Sequence, residues 1–98
     1  MARLILRPEA EADALAAVAW YQNERPGLGD AFADTLDGTL GRLAESPLVF
    51  PVIAPPTRRA LLGRFPFGVY FVVEADGTVR VLAIMHLHRS SESWQSRT

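Results

Sequence analysis

The sequence predicts a single α+β domain in which a helical hairpin packs on one face of a largely antiparallel, four-stranded sheet. Three observations support this class: two β-rich runs joined by a tight turn in the last third of the chain, two helical patterns joined by a short turn in the first half, and a short apolar run before them. The chain has 98 residues, so we take residues 1–98 as one domain. The predicted element order is β-α-α-β-β-β.

The strongest local signal is a β-hairpin around Asp76-Gly77. The runs Phe67 to Val73 and Val79 to Met85 flank it and are rich in β-branched and aromatic residues. Glycine adopts a positive φ without steric cost, so Asp-Gly favours a tight turn. The second run is apolar at both alternating sets of positions, which indicates a strand covered on both faces. The helical hairpin covers one face, and we expect a partner protein to cover the other.

The N-terminal part predicts one strand and one helix. Leu4 to Leu6 is a short apolar run that we assign to the first strand. Pro8 suits the first turn of a helix, and Pro26 ends that helix by Glu24. The predicted buried face of this helix has five residues at helical spacing: Ala12, Leu15, Ala16, Ala19 and Trp20.

A second helical pattern follows the turn from Arg25 to Asp30 and ends near Ser46-Pro47. Its apolar residues recur every three or four positions: Leu28, Phe32, Leu36, Leu40 and Leu43. The short turn predicts an antiparallel pair with the first helix. Gly38 and Gly41 lie inside the pattern, where they indicate a close approach to a neighbouring element or a tolerated weakness.

The rest of the chain divides into a connector, a short strand and a tail. Ser46 to Thr57 contains four prolines, so we expect an irregular connector packed across the domain rather than a strand. Ala60 to Leu62 is assigned to the next strand, and Gly63 to Gly68 to a bend. Residues 90–98 are polar except for Trp94, and we expect this tail to be loosely ordered.

Charge is divided unevenly along the chain. Residues 1–46 hold four arginines and eight acids, a net charge of −4, whereas residues 47–98 hold six arginines and three acids, a net charge of +3. This asymmetry predicts a basic surface that meets an acidic partner. The total of −1 and the acidic second helix argue against direct DNA binding.

Composition also indicates the cellular compartment in which we expect the protein. The sequence has no cysteine, which excludes disulfides and thiolate metal sites and fits a reducing cytoplasm. No apolar run approaches the roughly 20 residues that span a bilayer. The apolar stretch near the N-terminus is too short for a signal peptide. We therefore expect a cytoplasmic protein that needs no membrane and no cofactor.

Candidate functional side chains flank the hairpin. They are Arg58, Arg59 and Arg64 before it, and His86, His88 and Arg89 after it. The arginines before the hairpin either bind carboxylates or phosphates, or form a solvated edge whose charge prevents sheet-to-sheet association. Trp94 is either an exposed interface anchor or a side chain that folds back on the sheet.

The two histidines allow three interpretations. His86 and His88 lie two apart at a strand end, so both side chains point to the same face. As a metal half-site they lack further ligands, and we predict no metal site. As general acid and base they suit RNA cleavage, with Arg64 holding a phosphate. The favoured interpretation is that His86 packs at the end of the core strand and His88 is solvated.

Three motifs together carry a family resemblance. RPGLG follows the first helix, SPLVFP follows the second, and RRALLGRFPFGVYF leads into VLAIMHLH. In this order and spacing, from about Leu4 to Trp94, the chain resembles the RelE/ParE superfamily, the toxins of bacterial type II toxin–antitoxin (plasmid stabilisation) modules. The resemblance implies the same β-α-α-β-β-β fold, growth arrest by the free toxin, and an acidic antitoxin encoded adjacently that binds the toxin in a hetero-oligomer.

The superfamily has two branches that act on different targets. RelE-like toxins cleave messenger RNA in the ribosome with lysine, arginine and C-terminal tyrosine or histidine side chains, whereas ParE-like toxins poison DNA gyrase. This chain has no lysine and no tyrosine after Tyr70, and its RPGLG and RFPFGVYF motifs are more similar to the ParE-like branch. The leading hypothesis is a ParE-like toxin that binds gyrase. The predicted partner-binding residues are Arg58, Arg59, Arg64, His86, His88, Arg89 and Trp94.

Two alternatives remain. A RelE-like, ribosome-dependent endoribonuclease would use His86 or His88 with Arg64. An inactive relic would bind its antitoxin without arresting growth.

Overall fold

The computed structural model describes residues 1–89 and 91–98, and in these it has an α+β fold of three α-helices and one five-stranded mixed sheet. The elements are β1 (Leu4–Leu6), α1 (Pro8–Glu24), α2 (Leu28–Glu45), a 3-10 turn (Pro47–Val49), β2 (Val52–Ala54), β3 (Thr57–Leu61), β4 (Phe67–Val73), β5 (Val79–His86) and α3 (Glu92–Gln95). The strand order is β1-β5-β4-β3-β2. No helix in the described part of the chain is long and apolar enough to cross a membrane.

The sheet differs from the four-stranded prediction in two ways, although three of its four strand pairs are antiparallel as predicted. First, β1 pairs in parallel with β5, with Leu4 opposite Val79 and Leu6 opposite Val81. The two helices form the crossover connection that parallel pairing requires. Second, the proline-rich connector contains β2, which pairs antiparallel with β3. A three-residue strand fits between Pro51 and Pro55, and it lies at the sheet edge, where proline is tolerated.

The predicted hairpin is confirmed. β4 and β5 pair antiparallel from Phe67 opposite His86 to Val73 opposite Val79. Gly77 has φ +89°, as the turn requires. The Thr78 amide donates to Asp76 Oδ1 over 2.9 Å, and this hydrogen bond lowers the pKa of the Asp76 carboxyl. The turn is thus stabilised by the residue types that predicted it.

The main core lies between the helical hairpin and the first face of the sheet. α2 buries Phe32, Leu36 and Leu43, as its periodicity predicted. Their buried partners on the sheet are Ala60, Val69, Phe71, Val79, Val81 and Ile84. The two helices approach closely at Gly29, where an added Cβ would lie 2.7 Å from the Val18 carbonyl oxygen.

Gly38 and Gly41 have open space around them. A Cβ at either position would meet nothing within 4 Å. Of the two explanations that the sequence allowed, close packing against a neighbouring element does not apply. These glycines instead lower the helix propensity of α2, and the fold tolerates this cost.

The predicted buried face of α1 is wrong. Leu15 is 72% exposed and Trp20 is 59% exposed. Ala10 and Ala17 are buried instead, and Tyr21 packs partly buried against the core. The alanines of α1 lie on several sides of the helix, so it carries two apolar stripes. Periodicity alone does not show which stripe is buried. The stripe that carries Tyr21 faces the aromatic core.

The second face of the sheet, for which we expected a partner protein, is partly covered by the chain's own C-terminal segment. Trp94 on α3 is only 5% exposed and stacks on Tyr70, with ring centroids 4.9 Å apart. Leu82 and Met85 are buried in the same cluster. Residue 90, where the predicted loose tail begins, lies outside the described residues.

Candidate partner-binding site

Four of the predicted residues meet at one end of the sheet. The β3–β4 loop and the segment after β5 lie side by side there, and the Leu87 amide donates to the Pro66 carbonyl oxygen over 2.8 Å. Arg64, His88 and Arg89 are exposed in these segments, and His86 ends β5. We call this set the basic end: Arg64, His86, His88 and Arg89.

Arg64 is held over an aromatic ring. Its φ of 73° lies in the left-handed region, which is uncommon for a residue with a side chain. Its guanidinium carbon lies 5.6 Å from the ring centroid of Phe65, which is buried. A cation over an aromatic face is weakly stabilised and keeps its outer N–H groups accessible. The β3–β4 loop therefore presents Arg64 at a defined position on the surface.

The two histidines form a local pair. Their ring centroids are 5.1 Å apart, and the His88 amide donates to His86 Nδ1 over 3.1 Å. This bond makes Nδ1 an acceptor, so the neutral ring of His86 carries its proton on Nε2. His86 also packs edge-on against Phe67, with centroids 5.5 Å apart. Among residues 1–89 and 91–98, no group of three or more potential metal ligands occurs.

A groove of about 570 Å³ connects the basic end with α1. Its lining residues are Ala17, Trp20, Tyr21, Pro66, Phe67, His86 and Arg89. Burial raises the pKa of the Tyr21 phenol. Apolar walls beside the exposed Arg89 suit an apolar side chain next to a carboxylate. Sequence reasoning missed this groove because it assigned Trp20 to the core.

Arg58 and Arg59 are not part of the basic end. Adjacent residues on a strand point to opposite faces. The guanidinium of Arg58 donates to the Phe50 carbonyl oxygen over 2.7 Å, and so fixes the connector. Arg59 lies opposite Tyr70, and its Nε is buried without a hydrogen-bond partner among the described residues. The absence of a side chain at Gly68 leaves the space through which Arg59 runs.

An ion pair missed by the sequence holds the C-terminal segment. Arg97 Nη1 lies 2.6 Å from Asp13 Oδ2 and 3.1 Å from the Leu82 carbonyl oxygen. The same Asp13 oxygen accepts the Ile84 amide over 3.1 Å. Asp13 looks like an ordinary acid near a helix start, and nothing local indicates a partner 84 positions away. With the Trp94 stack, this pair fixes the segment at two points.

Charge at the basic end is not neutralised within the fold. Ion pairs join Arg7 to Glu9, Arg80 to Glu74 and Arg97 to Asp13. In the part of the chain that the structure describes, no ion pair holds Arg64 or Arg89. The predicted partner-binding set thus divides into four residues at one end of the sheet, among them the exposed arginines Arg64 and Arg89, and three residues with structural contacts elsewhere.

Comparison with known proteins supports a family assignment and a similar fold. The family model for the ParE toxin of type II toxin–antitoxin systems (parDE) matches residues 4–90. The solved structure of a chromosomal ParDE toxin–antitoxin system from P. aeruginosa is similar in fold, with a TM-score of 0.77 and 22% identity over 88% of this chain and 96% of that chain. No curated protein matches the chain.

Proposed function

The chain belongs to the ParE toxin family of type II toxin–antitoxin systems, and we propose that it arrests bacterial growth by binding DNA gyrase until an antitoxin neutralises it. The observation that carries the binding mode is the basic end, which presents exposed cations beside an apolar groove. Such a surface combines an apolar anchor site with charges that steer an acidic partner. It requires neither a cofactor nor a metal ion.

The geometry favours binding over catalysis. A nuclease site needs several cationic and acid–base groups converging on one phosphate. Here Arg58 fixes the connector, and Arg59 lies opposite Tyr70 on the second face, where its stem passes Gly68 beside Leu87. His86 Nδ1 is already engaged by a backbone amide.

The proposed antitoxin is an acidic polypeptide encoded beside the toxin, and it binds the basic end in the bacterial cytoplasm. Arg64 and Arg89 are exposed, so their contacts with carboxylates are screened by salt. We expect the affinity of the complex to fall as ionic strength rises. Replacing both arginines with glutamate should weaken binding far more than the same change at Arg42, which is exposed on α2.

The gyrase target is tested with purified components. Purified gyrase supercoils relaxed plasmid DNA, and the chain should inhibit this reaction and trap cleaved DNA. The Arg64→Glu/Arg89→Glu variant should inhibit much less, and Arg42→Glu should inhibit like the unmodified chain. Full supercoiling activity at a large molar excess of the chain would refute the gyrase target.

A ribosome-dependent endoribonuclease is the second candidate. The observation in its favour is the close pair of imidazoles, with His88 exposed. In that case translated messenger RNA is cut when the chain is added to a ribosomal system, and His88→Ala reduces the cutting by two or more orders of magnitude. Cleavage that is unchanged in both His86→Ala and His88→Ala would exclude this chemistry.

A further inference from the structure

Arg59 on β3 is a partly buried cation without a counter-ion. Its Nε is buried and has no hydrogen-bond partner within residues 1–89 and 91–98, and the ion pairs of that part of the chain do not include its guanidinium. Most buried polar groups in folded proteins are hydrogen-bonded, because an unpaired charged group that has lost its water destabilises the fold. Such a cost is typical of a position where a ligand supplies the missing partner.

Gly68 on β4 makes room for the Arg59 side chain. An added Cβ at Gly68 would lie 3.1 Å from both Cγ and Cδ of Arg59 and 3.3 Å from Leu87 Cδ2. The positive-φ glycines of the chain are Gly27 and Gly77, so the backbone does not require glycine here. Glycine inside a strand weakens it, and it often marks a close approach. We therefore attribute this glycine to the passage of Arg59, whose stem it holds in a defined position.

An exposed apolar side chain lies beside this arginine. Leu61 follows Arg59 by two positions on β3, so both side chains point to the second face of the sheet. Leu61 pairs with Gly68 in the strand register and is 52% exposed. An arginine that is partly shielded from water binds an oxyanion more strongly than a solvated one, and its planar fork matches the two oxygens of a carboxylate.

We propose that Arg59 binds a carboxylate of the partner protein, from an acidic side chain that stands next to an apolar residue packed on Leu61. The identity of the partner rests on the function proposed above, because the proposed antitoxin is an acidic polypeptide. The contact lies outside the basic end and adds a second point of attachment. Since Arg59 is partly buried, salt screens this contact less than it screens the contacts of the exposed Arg64 and Arg89.

The Hε–Nε signal of Arg59 in a nitrogen-correlated NMR spectrum tests the site directly. Titration of the full chain with acetate at constant ionic strength should shift this signal saturably, and Arg59→Lys, which removes the signal, assigns it. Arg80 is the internal control, because its Nε already donates to Glu74 Oε2 over 3.3 Å, and its signal should not follow the titration. Absence of a saturable shift at Arg59 would overturn the site. Tighter binding of inorganic phosphate than of acetate would overturn the choice of a carboxylate.

The contribution to partner binding is measured with the acidic polypeptide of the adjacent reading frame, titrated against the full chain. Arg59→Lys keeps the charge but loses the fork of parallel donors, so it should weaken the complex about tenfold or more. Arg42→Lys is the control on the exposed side of α2 and should change the affinity less than about twofold. Equal affinities of the two variants would refute the Arg59 contact and leave the proposed function standing. Failure of the polypeptide to bind the unmodified chain would instead count against the proposed antitoxin, and the acetate titration would still decide the site.

Gly68→Ala tests the geometry without removing the arginine. The added methyl group must displace the Arg59 stem, so acetate and the polypeptide should both bind about two- to tenfold more weakly. Gly63→Ala is the matched control, because a Cβ there meets nothing within 4 Å, and it should bind like the unmodified chain. Circular dichroism verifies the fold of both variants. Unchanged acetate binding in Gly68→Ala would contradict the proposed positioning of Arg59.

Discussion

At the scale of the residue, the two tryptophans have opposite environments. Trp94 is 5% exposed and stacks on Tyr70, whereas Trp20 is 59% exposed on α1. Trp94→Ala removes a buried ring and leaves a cavity on the second face, so it should lower the free energy of unfolding by about 2–4 kcal/mol. Trp20→Ala, the matched control, should cost less than about 1 kcal/mol.

Urea denaturation measures both changes. Equal losses for the two variants would mean that the C-terminal segment does not cover the sheet. A loss confined to Trp94→Ala would support the cover formed by α3.

The carboxyl of Asp76 is a second residue-scale test. Its pKa is lowered from 3.8, chiefly by the backbone hydrogen bond from Thr78. The pKa of Asp76 is lower in the folded state than in the unfolded chain. The ionised carboxyl therefore stabilises the fold above pH 3.8, and this contribution is lost as the pH falls through the folded-state pKa. In an NMR titration, the Thr78 amide shift should therefore change with a midpoint below 3.8. Asp76→Asn should abolish that change, and a midpoint at or above 3.8 would contradict the hydrogen bond.

At the scale of the element, Gly29 sets the contact between α1 and α2. A Cβ at Gly29 would lie 2.7 Å from the Val18 carbonyl oxygen, so Gly29→Ala must force the helices apart. We expect a loss of about 1–3 kcal/mol in the free energy of unfolding. Gly38→Ala is the control, because it meets no atom within 4 Å and should stabilise α2 by about 0.5–1 kcal/mol. Thermal unfolding that shifted in the same direction for both variants would contradict this packing.

Elements with strong local signals could be predicted, and elements fixed by distant contacts could not. The hairpin at Asp76-Gly77 and the periodicity of α2 are local, and both are confirmed. β2 depends on pairing with β3, and β1 depends on a parallel partner more than 70 positions away. The buried face of α1 depends on which stripe meets the aromatic core, which alanine-rich periodicity leaves open.

At the candidate site too, local features could be predicted from the sequence and features that depend on distant contacts could not. Strand alternation places Arg58 and Arg59 on opposite faces, so the sequence contained the signal that these neighbours could not share one surface. The convergence of Arg64 with Arg89 follows from hairpin topology, because two segments at the same end of adjacent strands must meet. The groove beside Trp20 could not be predicted, because it forms only where α1 crosses the end of β5.

At the scale of the whole molecule, the fold combines a buried core with one exposed, charged end of the sheet. The helical hairpin covers the first face of the sheet, and α3 covers part of the second. The basic end remains exposed, with Arg64 and Arg89 outside the ion pairs that the described residues form. A surface of this kind binds a partner without rearranging the core. We therefore predict a toxin that acts through binding.

Induction of the chain in bacteria, with messenger RNA ends and gyrase-linked DNA breaks mapped in the same cultures, tests this account most directly. We predict growth arrest with new gyrase-linked breaks and unchanged messenger RNA ends, and we predict that co-expression of the adjacent acidic polypeptide suppresses the arrest. New codon-phased messenger RNA ends with intact DNA would contradict the gyrase mechanism and support the ribonuclease. Normal growth with neither change would show that the chain is an inactive relic.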